Sequence, residues 1–275
     1  MPAEQHTRVT PELRAAFERD GVVFLPGLFD AAWVEFMRAA VEAAMAAPGP
    51  LADNFSPSPE KGKFYGEHFL WPRHAAFRRI ALESPLPPVA AALMGSNVAT
   101  LAWDQIFVIE PHTEAESHWH QDQPYAWVDG KQNVSFWISL DGVTRESGAV
   151  EFVKGSHRWN RWFEPKSFHP ARQYAAGDYE PMPDISNRRG EYEIVHFDTQ
   201  PGDVVAFHLS IVHYAAGNHT AGRRRAISLR YAGDDATYAV RKRGPKLPRD
   251  PGLKHGDPLR GELFPVAWPR AAVGA

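Results

Sequence analysis

The chain contains no cysteine, and this absence excludes both disulfide scaffolds and thiolate metal sites. Any metal would therefore be bound by histidine or carboxylate side chains. Long apolar runs are also missing, and no basic-then-apolar leader opens the sequence, so we expect a cytoplasmic protein with no membrane partner. Charge of one sign is not in excess: 30 lysine and arginine residues face 33 aspartate and glutamate residues, which gives no reason to expect a nucleic-acid partner.

The chain is long and apolar enough to form a substantial core, since 44% of its 275 residues are hydrophobic. We expect one domain spanning residues 1–275. An N-terminal helical set is predicted first, beginning after Thr10, and a strand-rich region follows from about residue 98 to 235. This order predicts a mainly β fold with flanking helices: a double-stranded β-helix, or cupin-type jelly roll, with an N-terminal helical set.

Three segments of the chain lack a regular period. Residues 48–63 are rich in proline, serine and glycine and are predicted to form a loop. Residues 157–190 are long and irregular, as is typical of a lid that closes over a binding site. The tail from Arg241 onward is predicted to be an irregular surface segment.

A His-x-Asp pair, His120 and Asp122, lies at the end of a predicted strand. Side chains alternate along a strand, so these two share one face, and His118 is expected on that face as well. An imidazole and a carboxylate can hold one metal ion if a third ligand comes from elsewhere, and His213 is the best candidate. His208, His196 and His219 are alternatives. Two histidines and one carboxylate leave positions open on the metal, as in non-haem Fe(II) oxygenases.

Further motifs accompany this pair in a fixed order. They occupy residues 107–111, 118–125, 137–141, 146–157, 201–208, 217–218 and 224–228. Together they resemble the phytanoyl-CoA dioxygenase family of Fe(II)/2-oxoglutarate oxygenases, over roughly residues 10–235. The resemblance places the metal on His120 and Asp122 rather than on His118. It implies Fe(II) as cofactor, with 2-oxoglutarate and O₂ as co-substrates.

The resemblance also implies which residues hold 2-oxoglutarate. Its far carboxylate needs a buried arginine shortly after the second histidine, and Arg224 fits best, with Arg225 as the fallback. Ser228 shares the predicted strand face of Arg224, and Gln105 and Trp137 are expected to line the co-substrate. Two departures remove polar groups that many relatives have. These are Ile109, where they carry lysine, and the run His213-Tyr214-Ala215, where they carry His-Gly-Ser.

The function implied is hydroxylation of an unactivated C–H bond in a small organic molecule, with release of succinate and CO₂. Substrate contacts are expected from aromatic residues near the metal strand and in the loops, namely Tyr125, Trp127, Phe64 and Trp162. A non-catalytic jelly-roll binding or sensor protein remains an alternative, favoured by Ile109 and Ala215. Desaturation or epimerisation with the same cofactors remains another. We expect a monomer or small homo-oligomer.

Overall fold

The computed structural model describes residues 8–56, 58–164, 179–241 and 246–270. Four α-helices occur within these ranges, all in the N-terminal part: α1 Pro11–Asp20, α2 Ala31–Ala46, α3 Ala75–Glu83 and α4 Leu86–Met94. The predicted cap of α1 is confirmed, because Thr10 Oγ1 accepts the Leu13 N–H at 3.2 Å. The helix ends at Gly21, whose φ of 77° lies in the left-handed region that glycine adopts without strain.

Fourteen strands occur in the same described ranges. They are β1 Val22–Leu25, β2 Ala52–Asn54, β3 Phe64–His68, β4 Ala99–Ile109, β5 Ser117–His120, β6 Val128–Asp129, β7 Asn133–Ser139, β8 Val150–Val153, β9 Ile194–His196, β10 Val204–Phe207, β11 His213–Ala215, β12 Arg224–Ala232, β13 Thr237–Tyr238 and β14 Val266–Trp268. The major sheet runs β1-β10-β7-β12-β4-β3-β2, with β14 also paired to β4. A minor sheet runs β5-β11-β8-β9, and β13 pairs with β6. The fold is the mainly β double-stranded β-helix that the sequence predicts.

Alternation along the major sheet separates two environments. On β12, Ile227, Leu229 and Tyr231 join the large core formed with the helices. The intervening positions, including Ser228 and Arg230, are buried on the other face, which is the inner face of the jelly roll. One strand therefore supplies apolar side chains to the helix layer and polar side chains to the interior.

The loop predicted over residues 48–63 and the aromatic run that follows it, residues 64–71, contain more regular structure than expected. Strand β2 forms within the former and strand β3 coincides with the latter, and both extend the major sheet beyond β4. The aromatic run carries glycine and charged residues between its rings, so no strand period was visible in it. The backbone pairing with β4 determines its conformation.

The interpretation of the tail as a surface segment is wrong for its described part. Strand β14 pairs with β4, and Leu259, Leu263 and Phe264 are buried in the main core. These apolar residues are sparse among prolines and charges, so the sequence shows no period there, and packing against the sheet determines their position. Residues 242–245 of the predicted tail lie outside the described residues.

The predicted lid is described at both of its ends. Short 3-10 helices occupy Ser156–Trp159 and Arg189–Glu191, and Phe163 is buried in a small apolar cluster. Residues 165–178 lie outside the described residues, so closure over a substrate stays a prediction. No helix in the described parts of the chain is both long and apolar enough to cross a membrane.

Candidate metal and keto-acid site

The structure brings His120, Asp122 and His213 together inside the jelly roll. Strands β5 and β11 are antiparallel neighbours, and His213 lies directly opposite His120 in their register. The imidazole Nε2 atoms lie 3.8 Å (His120) and 3.9 Å (His213) from Oδ1 of Asp122. One possible ligand atom from each residue lies within 4.8 Å of the other two, and all three residues are buried. This spacing suits atoms that surround a single metal ion.

Asp122 reaches this position from outside the strand. Strand β5 ends at His120, and Asp122 has helical φ and ψ at the start of a 3-10 turn. His118 takes no part in this cluster: its side chain is exposed, while those of Trp119 and His120 are buried.

Hydrogen bonds orient both imidazoles toward Asp122. Nδ1 of His120 lies 2.7 Å from the His118 carbonyl oxygen, and Nδ1 of His213 lies 3.1 Å from that of Ile211. A carbonyl only accepts, so each Nδ1 carries the proton and each Nε2 has the lone pair with which an imidazole binds a metal. Burial lowers the pKa of His120 to about 3 and also lowers the pKa of His213, so both rings are neutral at pH 7. Neutral imidazole is the form that binds metal.

Both carboxylate oxygens of Asp122 accept hydrogen bonds from other residues. The Tyr125 hydroxyl donates to Oδ1 at 2.7 Å, and Nε of Arg230 donates to Oδ2 at 3.1 Å. Burial alone would raise the pKa of Asp122, but the positive charge of Arg230 holds it below its usual range. Arg230 also donates from Nη1 to Gln105 Oε1 at 3.2 Å and lies over the Trp103 ring. The carboxylate is therefore ionised and held in one orientation.

Sequence reasoning missed Arg230. The signal was available, because Arg230 follows Arg224 and Ser228 at even spacing on one predicted strand, and alternation places all three on the same face. That face is now seen to be the interior, where Arg230 is 4% exposed. Nothing in the sequence indicated that its partner would be Asp122, which lies in the turn after β5.

Arg224 is a buried cation without a described counter-ion. It is 3% exposed, its Nε has no hydrogen-bond partner among the described residues, and its guanidinium lies 5.1 Å from the centroid of Trp137. Burial lowers its pKa to about 10. Arg225, the fallback, points to the other face, where Asp141 and Glu42 bind it at 2.8 and 2.9 Å. An uncompensated buried guanidinium is suited to receive a carboxylate.

The other residues expected around the co-substrate lie on the same inner face. Strand register places Ser228 of β12 between Trp137 of β7 and Gln105 of β4. Ser228 Oγ is buried and, within the described ranges, has no hydrogen-bond partner. Ile109 lies opposite Arg224 in the register of β4 and β12 and is 1% exposed. An apolar side chain therefore lies across from Arg224 on the neighbouring strand.

The four residues expected to contact substrate lie in different environments. Tyr125 supports Asp122, as described above. Trp127 is buried against Phe69 and Trp103, with ring centroids at 5.3 and 5.7 Å. Phe64 lies opposite Ile109, near the Arg224 end of the inner face. Trp162 packs against Tyr179 and under the guanidinium of Arg241, on the loop side. Their contact with a substrate stays a prediction.

The alternative third ligands lie elsewhere. Nε2 of His208 donates to the Lys131 carbonyl at 2.9 Å, and its Nδ1 accepts the Ser210 N–H at 3.0 Å, so both ring nitrogens are engaged. His196 is exposed on β9. Within the described ranges, the one His, Asp and Glu cluster able to hold a metal contains neither of these residues nor His219.

Gln121, between His120 and Asp122, connects this part of the chain to the predicted lid. Its Nε2 donates to the carbonyls of Arg161 and Ser210 at 3.1 and 2.8 Å, and its Oε1 accepts the Phe163 N–H at 3.2 Å. The side chain is 3% exposed and uses both of its polar atoms. One end of the loop is thus fixed directly to the chain that carries His120 and Asp122.

Proteins similar in sequence to this chain include several named as dioxygenases or hydroxylases. Ectoine dioxygenase of Sphingopyxis alaskensis is 26% identical over 229 residues, covering 79% of this chain and 74% of that protein. Methylphosphonate hydroxylase of Gimesia maris is 25% identical over 231 residues, covering 82% of each. A probable phytanoyl-CoA dioxygenase of Caenorhabditis elegans is 30% identical, but over only 39% of this chain and 33% of that protein.

Solved structures share the whole architecture. A non-haem α-ketoglutarate-dependent carbocyclase from nogalamycin biosynthesis superposes with a TM-score of 0.77 at 26% identity, covering 95% of this chain and 97% of that chain. EctD from S. alaskensis, solved with 2-oxoglutarate and 5-hydroxyectoine, shares the fold at a TM-score of 0.64 and 21% identity, covering 82% and 77%. The family model described as phytanoyl-CoA dioxygenase (PhyH) matches residues 17–226. With its motifs, fold and buried histidine–aspartate triad, the chain belongs to the phytanoyl-CoA dioxygenase family.

Proposed function

We propose that this protein is an Fe(II)- and 2-oxoglutarate-dependent oxygenase that hydroxylates an unactivated C–H bond of a small organic molecule. The observation that carries the proposal is the buried triad of His120, Asp122 and His213, whose possible ligand atoms lie within 4.8 Å of one another. A pair of these side chains, without the third, would suit several metals. Two neutral imidazoles with one carboxylate form the facial triad of non-haem Fe(II) oxygenases.

The residues around the triad suit a keto acid as co-substrate. Arg224 offers a desolvated positive charge with no described counter-ion, and Ser228 offers an unpartnered hydroxyl on the same strand face. A carboxylate bound there would satisfy both groups in a site of low polarity, where charge-assisted hydrogen bonds are strong. In this arrangement 2-oxoglutarate would extend from the metal toward Arg224, with the Trp137 ring as one wall.

The bound iron and keto acid supply the oxidising chemistry, with O₂ consumed and succinate and CO₂ released. The chain's own residues supply binding and orientation. His120, Asp122 and His213 hold the metal from one side, Arg224 fixes the far carboxylate, and burial of the triad keeps bulk water away from the reaction. Hydrogen bonds from Tyr125 and Arg230 fix both oxygens of Asp122 and so hold the carboxylate in one orientation.

Anaerobic titration tests the proposal directly. The protein with Fe(II) and 2-oxoglutarate should show a weak visible charge-transfer band, and His213→Ala should abolish it because a triad ligand is lost. His118→Ala is the matched control, since His118 is close in sequence but its side chain is exposed. The proposal fails if the wild-type protein binds Fe(II) yet gives no band with 2-oxoglutarate, or if both variants behave alike.

A second outcome is favoured by one structural likeness. Among the solved structures that match over nearly the whole chain is the α-ketoglutarate-dependent carbocyclase from nogalamycin biosynthesis. The same triad could therefore direct ring formation, desaturation or epimerisation in place of hydroxylation. Product mass separates these outcomes: hydroxylation adds one oxygen atom, whereas the others add none while still releasing succinate. A protein that forms the band but releases no succinate with any substrate would be a binding or sensor protein.

A further inference from the structure

Two buried arginines lie on the inner face of β12, and the proposed co-substrate can use only one of them. Arg224 and Arg230 are separated by six positions on the same strand. At about 3.3 Å per residue their Cα atoms lie about 20 Å apart. A keto acid that reaches from the metal to Arg224 extends away from Arg230. Arg230 is thus left beside the metal with a different task, and this reasoning rests on the function proposed above.

Arg230 has a donor that the protein does not use. Its Nε donates to Asp122 Oδ2 at 3.1 Å and its Nη1 to Gln105 Oε1 at 3.2 Å. Nη2 has no hydrogen-bond partner among the described residues, yet it is not among the fully enclosed unpartnered atoms, whereas Nε of Arg224 is. The guanidinium is therefore fixed in place by two hydrogen bonds while its third nitrogen stays open to a ligand.

His68 supplies a second unpartnered group at the same place. It ends β3 directly opposite Gln105, and neither ring nitrogen has a hydrogen-bond partner within the described ranges: Nδ1 is fully enclosed, whereas Nε2 is not among the enclosed atoms. Burial lowers the pKa of His68 to about 3, and Arg230 acts in the same direction, so the ring is a neutral N–H donor. The next residue, Phe69, has a φ of 54°, and strained backbone of this kind is concentrated at functional sites.

The charge of Arg230 also points to an anionic ligand. Its one described counter-ion is Asp122, and a metal ion held by the triad takes up the negative charge of that carboxylate. A buried guanidinium then lies beside the metal without a dedicated anion, which is costly unless a ligand supplies one. A carboxylate has two oxygens and can accept from a guanidinium nitrogen and an imidazole N–H at once.

We propose that Arg230 and His68 bind a carboxylate of the substrate, so that the protein acts on a small organic carboxylic acid. The carboxylate lies on the side of the metal opposite Arg224, and the substrate carbon to be oxidised lies between the carboxylate and the metal. The two arginines of β12 thus divide two anions between them, with 2-oxoglutarate at Arg224 and the substrate at Arg230.

Matched pairs of acids and amides test this assignment by binding rather than turnover. The protein is loaded anaerobically with Fe(II) and saturating 2-oxoglutarate, and the visible band is followed while benzoate or benzamide, then cyclohexanecarboxylate or its carboxamide, is added. Each acid should bind about tenfold or more tightly than its amide, as one charge-assisted hydrogen bond predicts, and the band should persist. Equal affinities overturn the proposal, and so does loss of the band, because the acid would then be displacing 2-oxoglutarate from Arg224.

Variants identify the residues responsible. Arg230→Gln and His68→Leu should each remove the preference for acid over amide, whereas Arg225→Gln should keep it, because Arg225 is bound by Asp141 on the other face. His68→Leu leaves the hydrogen bonds of Asp122 intact, so it decides the question if Arg230→Gln weakens metal binding. A His68→Leu protein that forms the band and retains the full preference overturns the proposal. A wild-type protein that never forms the band overturns the proposed function, and this inference with it.

Discussion

Replacing Arg224 with methionine should have opposite effects on stability and on co-substrate binding. The guanidinium is 3% exposed with no described counter-ion, and burial lowers its pKa from 12.5 to about 10. Each pKa unit corresponds to about 1.4 kcal/mol, so burying this charge costs the unliganded protein about 3 kcal/mol. Methionine has a similar length and no charge, and its neighbours Ile109 and Trp137 are apolar. Allowing for the lost cation–π contact, the free energy of unfolding of metal-free Arg224→Met should be about 2 kcal/mol higher than that of the metal-free wild type.

The same substitution should nearly abolish binding of 2-oxoglutarate. A guanidinium fork makes two charge-assisted hydrogen bonds to a carboxylate, each worth about 1.5–3 kcal/mol. Their loss should raise the dissociation constant about 10²-fold or more. Urea unfolding of the metal-free protein measures the first effect, and anaerobic titration of the Fe(II) protein with 2-oxoglutarate measures the second.

Arg225→Met is the matched control, because the same substitution falls on the neighbouring residue of the same strand. It removes ion pairs to Asp141 and Glu42 and should lower stability while leaving 2-oxoglutarate affinity unchanged. The reasoning is refuted if Arg224→Met binds 2-oxoglutarate as the wild type does, or if its metal-free form is less stable than the wild type.

Two further predictions concern the structure around the site. Burial raises the pKa of Asp104 from 3.8 to about 7, so the folded protein binds this proton more tightly than the unfolded chain, and stability should fall as pH rises from about 4 to 7 and then level off. Asp104→Asn removes the titrating group but keeps an acceptor for the Trp71 N–H. Urea unfolding of the variant should show weaker pH dependence and about 2 kcal/mol more stability at pH 8 than the wild type, and an unchanged pH dependence would contradict this. Gln121→Leu leaves three buried backbone groups unpaired, so it should destabilise the protein by about 3 kcal/mol and increase hydrogen exchange in residues 159–164. Unaltered exchange in these residues would show that Gln121 does not hold this end of the loop in place.

The metal triad could be found from the sequence because its parts are either local or carried by strong strands. His120 and Asp122 are two residues apart, and no tertiary information is needed to pair them. His213 follows a buried strand and begins β11, which the closure of the jelly roll places beside β5. The start of α1 after Thr10 was equally accessible, since a capping side chain acts on its own helix.

The missed features depend on contacts between distant segments. Strand β14 has three residues and no alternation of its own, and it exists because β4 offers an edge to pair with. His68 belongs to an aromatic run without strand period, and its position beside Gln105 follows from the β3–β4 register. Local propensity carries no information on such pairings, which tertiary structure alone determines.

The hydrogen bonds of Asp122 illustrate this limit. A short motif predicts Asp122 as a ligand, but which of its oxygens would face a metal depends on the partners that its carboxylate finds in the fold. Arg230, 108 residues away, donates to Oδ2, and Tyr125 donates to Oδ1, the oxygen that lies nearest to both imidazole Nε2 atoms. Oδ1 is thus the oxygen that would bind a metal, while Arg230 holds Oδ2. Together with His120 and His213 it would hold Fe(II) through three protein ligands, as the proposed function requires if a keto acid and O₂ are also to bind.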